Sequence, residues 1–276
     1  LFTSIIPILI STSAIEINFM ISRSIASGAY AGGISILNYS YKLQSFVTGI
    51  VVTSIITATY PKLAKFGSKK DLVNLKSSLS EGLSSMIILV VPAAFGLYVF
   101  SFPIVNLLFV GGEFSVEDAK ITATVLSLFA FGVIGIGVRE IISRAFYSLG
   151  DNKTPVYNSV IILGINVALA LLFSKLMGIR GIALATSISF IVGALAMYFS
   201  SIRLIGNVFD KKLLMNLIKI TIASLAMALG SRLVYEVLTR SLSINLSLLL
   251  SIIVAGGIYL ILLILLRVDE VREILK

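Results

Sequence analysis

The chain of 276 residues is 58% hydrophobic and only 13% charged, and its formal net charge is +9. Soluble domains are closer to half apolar and a quarter charged, so this composition indicates an integral membrane protein. The sequence contains no cysteine and no histidine, which excludes disulfides, thiol chemistry and the usual zinc, haem and serine–histidine catalytic sites. It also lacks a Walker-type glycine loop, a metal-ligand cluster and a catalytic dyad, so we expect neither an enzyme nor a bound metal or cofactor.

Eight apolar segments are each long enough to cross about 30 Å of hydrocarbon as a helix. Their predicted bounds in chain order are about 1–27, 32–62, 72–100, 116–147, 155–177, 180–204, 211–237 and 243–267. The predicted fold class is therefore an all-α polytopic membrane helix bundle. The chain starts at Leu1 without a basic stretch or an initiator methionine, so we expect no signal peptide and a fragment of a longer protein.

Turn and capping signals mark the breaks between these segments. The small residues of 27–33 separate the first two helices. Ser115, followed three residues later by Asp118, predicts a capping box at the start of the fourth helix, and Pro155 suits the first position of the fifth. Pro92 lies inside the third segment and predicts a kink, because neighbouring helices can donate to the carbonyl that a proline leaves free.

The distribution of lysine and arginine among the loop ends predicts the orientation in the membrane. One set consists of Lys62, Lys65, Lys69, Lys70, Lys76, Arg139, Arg144, Lys153, Arg203, Lys211, Lys212, Lys219, Arg267, Arg272 and Lys276. The other consists of Lys120, Lys175, Arg180, Arg232 and Arg240, with Arg23 and Lys42 completing the 22 basic residues. We expect the first set and both termini to be cytoplasmic and the acidic loop 113–118 to be outside. The positive charge then reports topology and contact with anionic lipids rather than nucleic acid.

Lys42 is the basic residue predicted to lie deepest in a span. Nine residues at about 1.5 Å each place it about 14 Å from the start of its helix, close to the membrane midplane. An isolated lysine there costs roughly 2.5–3.5 kcal/mol on insertion scales. We therefore expect Lys42 to face a water-filled cavity or a counter-charge, and a functional cavity residue is favoured over a purely structural ion pair.

Glu16 and Arg23 are the ionisable residues of the preceding span. Glu16 and Lys42 lie at equal sequence distances from the turn near residue 29, so an antiparallel hairpin places them at one depth, and an ion pair between them is a hypothesis. Arg23 either extends outward to the headgroups or forms a polar seam with Glu16, whose helix face it shares. Arg139, Glu140 and Arg144 are interpreted as interfacial anchors, with a ligand contact at a cavity mouth as the alternative.

The segment "ISRSIASGAYAGGISILNYSYKLQSF", which begins at residue 21, is the first of five stretches with a common resemblance. The others are "YPKLAK" (60–65), "PAAFGLYVFSFPIVNLLFVGGEFSVEDA" (92–119), "RAFYSLGDNKTP" (144–155) and "GIRGIALATSIS" (178–189). In this order they resemble segments of the MurJ/MviN-type lipid II flippases of the MOP transporter superfamily.

This resemblance implies a fold of fourteen helices, in two six-helix lobes followed by two more. Residues 1–205 would form the C-terminal six-helix lobe and 206–276 the two additional helices, so the chain looks like helices seven to fourteen without the N-terminal lobe. The implied location is the bacterial cytoplasmic (inner) membrane. The implied function is alternating-access transport of lipid II or a related polyprenyl-diphosphate glycolipid, a step in peptidoglycan synthesis, cell wall biogenesis and cell shape.

The resemblance also implies roles for individual residues. It places Lys42 where the family has a cavity arginine that meets the lipid diphosphate, and puts Tyr41 and Ser45 where some members have carboxylates. Together with Arg23 and Glu16 of the preceding span, these residues form the predicted substrate cavity. Some members bind sodium at positions that correspond here to Ser22, Asn166, Ala170, Ile182 and Thr186. Since Ser22 and Ala170 occupy the two carboxylate positions, we expect no sodium site of that kind, because a hard cation without a charged oxygen binds weakly.

Two other functions remain open at this point. One is another MOP-type exporter, for an O-antigen-like polysaccharide or a drug. The other is a non-transporting membrane scaffold, because a single lobe cannot alternate alone.

Overall fold

The computed structural model describes residues 2–268, and the side chains of residues 2–12, 14, 15 and 212 lie outside the description. The helices in this range are α1 (Phe2–Ala29), α2 (Gly33–Ser68), α3 (Leu72–Val99), α4 (Ser101–Phe109), α5 (Val116–Ala130), α6 (Gly132–Ser148), α7 (Lys153–Met177), α8 (Ile179–Ile205), α9 (Lys211–Leu238) and α10 (Ile244–Leu265). This architecture confirms the all-α class.

Seven helical segments of the described residues are long and apolar enough to cross a membrane. They are α2, α3, the combined segment Val116–Ser148, α7, α8, α9 and α10. The predicted first span, 1–27, coincides with α1. The fourth span is two helices, α5 and α6, which are interrupted at Phe131, and α4 is a short helix that the sequence did not predict.

The ends of the helices show which capping predictions hold. Ser115 and Asp118 form the predicted capping box at the start of α5, in which Ser115 Oγ accepts from the N–H of Asp118 at 3.1 Å. Pro155 is the third residue of α7 rather than the first, because the Asp151 carboxylate accepts the N–H groups of Lys153 and Thr154 and starts the helix earlier. Asp71 caps α3, and hydrogen bonds from Asn74 lower the pKa of its carboxyl.

The carbonyl that Pro92 leaves without its helical donor is bonded by a side chain from another helix. A proline at position 92 supplies no N–H to the carbonyl of Ile88, four residues earlier. The hydroxyl of Tyr259 in α10 donates to this carbonyl at 2.6 Å. The prediction that a neighbouring helix provides the missing donor is confirmed, and the bond ties α10 to α3.

Two apolar clusters organise the bundle. The larger joins α2, α3 and α6 to α9 and α10, and includes Leu83, Met86, Ile141, Met227 and Leu263. The smaller is formed by residues of α1, α2, α5, α7 and α8. The predicted boundary near residue 205 coincides with the end of α8, but the last two helices share their core with α3 rather than standing apart.

Candidate functional site

A polar cleft of about 350 Å³ lies between α1 and α2. Its lining consists of Glu16, Phe19, Arg23, Ser35, Asn38, Tyr39, Tyr41 and Lys42. The structure thus brings together four of the five residues that the sequence predicts for a substrate cavity. Ser45, the fifth, lies one turn further along α2 and is not part of this lining.

The tight turn between α1 and α2 brings the two walls of the cleft together. Gly32 has φ of +75°, in the left-handed region that favours glycine. A Cβ atom on Gly33 would collide with the main-chain carbonyl of Ala26. These two glycines therefore allow α2 to start directly against α1.

The cleft carries two cations and one carboxylate in its lining, an excess of one positive charge. Lys42 and Glu16 are both exposed there, so the ammonium of Lys42 is accessible to a ligand. Among the ion pairs within 4.0 Å recorded for the described residues, none joins Glu16 to Lys42 or Arg23. The two residues share the cleft, and the ion pair between them stays a prediction.

Arg23 is held by an aromatic stack in this cleft. Its Cζ atom lies 4.2 Å from the centre of the Phe19 ring, and the Phe19 and Tyr41 ring centres are 4.0 Å apart. The Nε atom of Arg23 is buried and has no hydrogen-bond partner. A guanidinium stacked in this way keeps its terminal N–H groups directed for an anion. Arg23 therefore lines the cleft with its guanidinium stacked on Phe19.

Four lining residues were missed in the sequence, and Phe19 of α1 is one of them. Ser35, Asn38 and Tyr39 precede Lys42 by seven, four and three residues, which is the spacing of a single helix face. The signal was therefore present once Lys42 was taken as facing a cavity. Asn38 Oδ1 is buried without a hydrogen-bond partner, so it is a further acceptor in this wall.

The residues of the expected degenerate ion site lie together between α1, α7 and α8. Ser22 Oγ donates to Asn166 Oδ1 at 3.5 Å, and Asn166 Nδ2 donates to Thr186 Oγ1 at 3.0 Å. The Thr186 hydroxyl in turn donates to the carbonyl of Ile182 at 3.0 Å, while the Ala170 side chain is fully buried among apolar residues.

This cluster does not fit a resident metal ion. Its side-chain donors and acceptors are bonded to one another, and it contains no carboxylate. Over residues 2–268 no group of three or more His, Cys, Asp or Glu side chains could hold a metal. A small pocket of about 30 Å³, lined in part by Asn18, Ser22, Tyr41 and Thr186, connects the cluster with the cleft. A pocket of that size has room for about one water molecule.

Arg139 requires a correction to the sequence interpretation. It is only 3% exposed rather than interfacial. Its guanidinium donates to Asn158 Oδ1 at 3.0 Å, to Ser159 Oγ at 2.5 Å and to Glu140 Oε1 at 2.6 Å. The sequence showed its distance from the helix end but not the polar residues that α7 presents to it. Arg144, which is half-buried and lies 3.6 Å from Glu140, is closer to the expected anchor.

The helical arrangement is similar to that of solved transporters. A MOP superfamily transporter from Pyrococcus furiosus superposes with a TM-score of 0.62 at 15% identity, over 97% of this chain and 65% of the other. That likeness concerns the fold alone, and it defines the class as a polytopic helical membrane protein.

The sequence specifies the family more closely. The family model described as lipid II flippase MurJ matches residues 1–254, and the chain belongs to that family. A probable lipid II flippase MurJ of Thermotoga maritima is 30% identical over 262 residues, which is 95% of this chain and 52% of that protein. A solved structure of lipid II flippase MurJ in an inward closed conformation has a TM-score of 0.80 and 26% identity, over 96% of this chain and 53% of the other.

These matches confirm the predicted family and agree with the expectation of a transporter rather than an enzyme. The chain is a multi-pass inner-membrane protein. The chain spans 52% of the length of the Thermotoga maritima relative and 35% of the length of another curated relative that it matches.

Proposed function

We propose that this chain supplies the C-terminal lobe and the two additional helices of a lipid II flippase. The complete protein would move the peptidoglycan precursor across the cytoplasmic membrane by alternating access, with an N-terminal lobe closing the other side of the cavity. The observation that carries the proposal is the cleft between α1 and α2, in which Lys42, Arg23, Tyr41 and Glu16 meet. Membership of the flippase family supports it.

The cleft chemistry suits a lipid diphosphate. The ammonium of Lys42 supplies a point charge to one phosphate, and the Arg23 guanidinium, steadied by the Phe19 ring, offers a planar fork to the other. Glu16, which lines the same cleft, compensates the charge of Lys42 when no cargo is bound, which lowers the cost of keeping Lys42 in a membrane span. The polyprenyl tail stays in the surrounding lipid.

Glycolipid binding tests this function. The full-length protein in lipid nanodiscs should bind lipid II, and Lys42→Gln should weaken binding about tenfold or more, because a charge-assisted hydrogen bond contributes about 1.5–3 kcal/mol. Lys175→Gln is the matched control, since Lys175 is an exposed lysine at the end of α7 outside the cleft. Equal affinity of the Lys42 variant and the control would refute the assignment. Preference for an O-antigen-like glycolipid or a drug would favour another MOP-type exporter.

We further propose that both termini of this segment are cytoplasmic. The charge distribution supports this orientation, although Arg272 and Lys276 lie outside the described residues. The absence of cysteine makes single introduced cysteines specific reporters. A cysteine at Lys69 should react only with a membrane-permeant thiol reagent, and one at Glu113 with an impermeant reagent added outside. The reverse pattern would contradict the orientation.

A further inference from the structure

The interruption between α5 and α6 lies in the middle of a membrane-spanning segment. The two helices have 15 and 17 residues, so Phe131 is more than 20 Å of helix, at about 1.5 Å per residue, from either end. Its own backbone is ordinary for a helix, with φ of −70° and ψ of −25°. The cause of the interruption therefore lies outside Phe131.

Two side chains from other helices occupy the carbonyls at this point. In a continuous helix, the carbonyls of Leu128 and Phe129 accept the N–H groups of Gly132 and Val133. The main-chain hydrogen bonds recorded at this junction run from the Phe131 N–H to the Phe129 carbonyl and from the Ile134 N–H to the Phe131 carbonyl. Ser187 Oγ of α8 donates to the Leu128 carbonyl at 2.6 Å. Gln44 Nε2 of α2 donates to the Phe129 carbonyl at 3.1 Å.

Glycines allow these side chains to reach the main chain. A Cβ atom on Gly132 would lie 2.8 Å from Ser187 Oγ, and one on Gly135 would lie 2.6 Å from the main chain at Phe190. The next turn of α6 is thus packed directly on α8. On the other side of the junction, Ser40 of α2 donates to the Thr122 carbonyl of α5 at 3.0 Å.

Gln44 also connects the junction with the cleft. It is 1% exposed and points into the bundle, whereas Lys42, two residues earlier on α2, lines the cleft. A displacement of α2 by a ligand at Lys42 would therefore act on the bond between Gln44 and Phe129. Since the side-chain and main-chain donors compete for the same carbonyls, the exchange replaces two hydrogen bonds with two others and is close to balanced in free energy.

We propose that the α5–α6 junction is a hinge with two hydrogen-bonding states, and that Gln44 is a positioning residue that links its state to Lys42. In the state observed, Gln44 and Ser187 hold the carbonyls and the helix is interrupted. In the other state, Gly132 and Val133 take the carbonyls, and α5 and α6 become one continuous helix. Only the link to a bound cargo rests on the proposed function.

The hinge is measured as a distance, independently of transport. Because this segment has no cysteine, and with any cysteine of the N-terminal lobe replaced, spin labels on Val116→Cys and Lys153→Cys in the full-length protein report a distance across this span. Val116 is the first residue of α5, and Lys153 is the first residue of α7, just beyond the end of α6. We expect two populations of this distance in the doubly labelled protein without further changes. Gln44→Met combined with Ser187→Ala, which removes both side-chain donors at little change in volume, should leave mainly the longer separation. Ser40→Ala, which removes an α2–α5 bond away from the junction, should leave the populations unchanged.

A second variant tests the hinge independently if the double variant fails to fold. Gly132→Ala favours a helix and displaces Ser187, so it should also enrich the longer separation. Populations unchanged in both Gly132→Ala and the double variant would overturn the hinge.

Adding a polyprenyl diphosphate tests the role of Gln44. It should shift the two distance populations of the doubly labelled protein. It should not shift those of the doubly labelled protein that also carries Gln44→Met. Binding of the diphosphate without a shift overturns the link through Gln44, whereas absence of binding in the same samples contradicts the proposed function instead.

Discussion

A buried arginine, Arg139, joins α6 to polar side chains of α7. Arg139 lies in a span, and its depth alone suggested an anchor near the membrane surface. Its partners Asn158 and Ser159 belong to α7 and become neighbours only through the packing of α6, α7 and α8. Asn158 also donates to the Gly193 carbonyl of α8 at 2.8 Å. Arg139 is therefore the centre of a polar connection among three helices.

Removal of this guanidinium should destabilise the protein strongly. Arg139→Met removes the charged donor of three hydrogen bonds, to Glu140, Asn158 and Ser159, and a hydrogen bond to a charged group contributes about 1.5–3 kcal/mol. Unfolding in mixed detergent micelles measures the free energy. Arg144→Met is the control, because its more exposed contact with Glu140, at 3.6 Å, should contribute less than about 1 kcal/mol. Similar losses for the two variants would show that the buried network is not stabilising.

At the scale of helices, the sequence predicted the spans but not their interruptions. Length and hydropathy determine where a span lies, and Pro92 identifies a carbonyl without its helical donor. The nine residues of α4 are too few for a span and carry no turn signal of their own. The break at Phe131 is decided by Gln44 and Ser187, which are 85 and 59 residues away in sequence from the carbonyls they bind. A local pattern has no information about such partners.

The hydrogen bond between Tyr259 and the Ile88 carbonyl can be tested by a double-mutant cycle. Tyr259→Phe leaves the Ile88 carbonyl unpaired and should cost about 1–3 kcal/mol of unfolding free energy. In a Pro92→Ala background the alanine N–H can pair with that carbonyl, so the same change should cost about 1 kcal/mol less. The cycle compares the unaltered protein, Tyr259→Phe, Pro92→Ala and the combined variant. Their unfolding in the same micelles gives the coupling free energy between Tyr259 and Pro92. Equal costs in both backgrounds would show that the bond does not compensate the proline.

For the whole molecule, composition and five short stretches were sufficient to predict the class and the family, which the family match confirms. The cavity was predicted in part, because a lysine in a span indicates a polar surface without showing which residues complete it. The substitutions at Ser22 and Ala170 were visible in the sequence, but their consequence depended on the packing. Only the fold shows that Ser22, Asn166 and Thr186 bond to one another.

The absence of carboxylates from this cluster predicts transport that does not depend on sodium at this site. Lipid II movement by the full-length protein in proteoliposomes should be unchanged when potassium replaces sodium. Ser22→Asp combined with Ala170→Asp would supply the charged oxygens that a hard cation requires. This variant should gain saturable ²²Na⁺ binding that the unaltered protein lacks. A sodium requirement of the unaltered protein would contradict the prediction.

The central claim is that Lys42 on the α1–α2 cleft meets the cargo of a lipid II flippase. Complementation of a bacterium depleted of its own flippase, with the full-length gene that contains this segment, tests it most directly. We predict that the unaltered gene and Lys175→Ala restore growth, and that Lys42→Ala, produced at an equal level in the membrane, does not. Growth restored equally by Lys42→Ala, or failure of the unaltered gene to restore growth, would contradict the account.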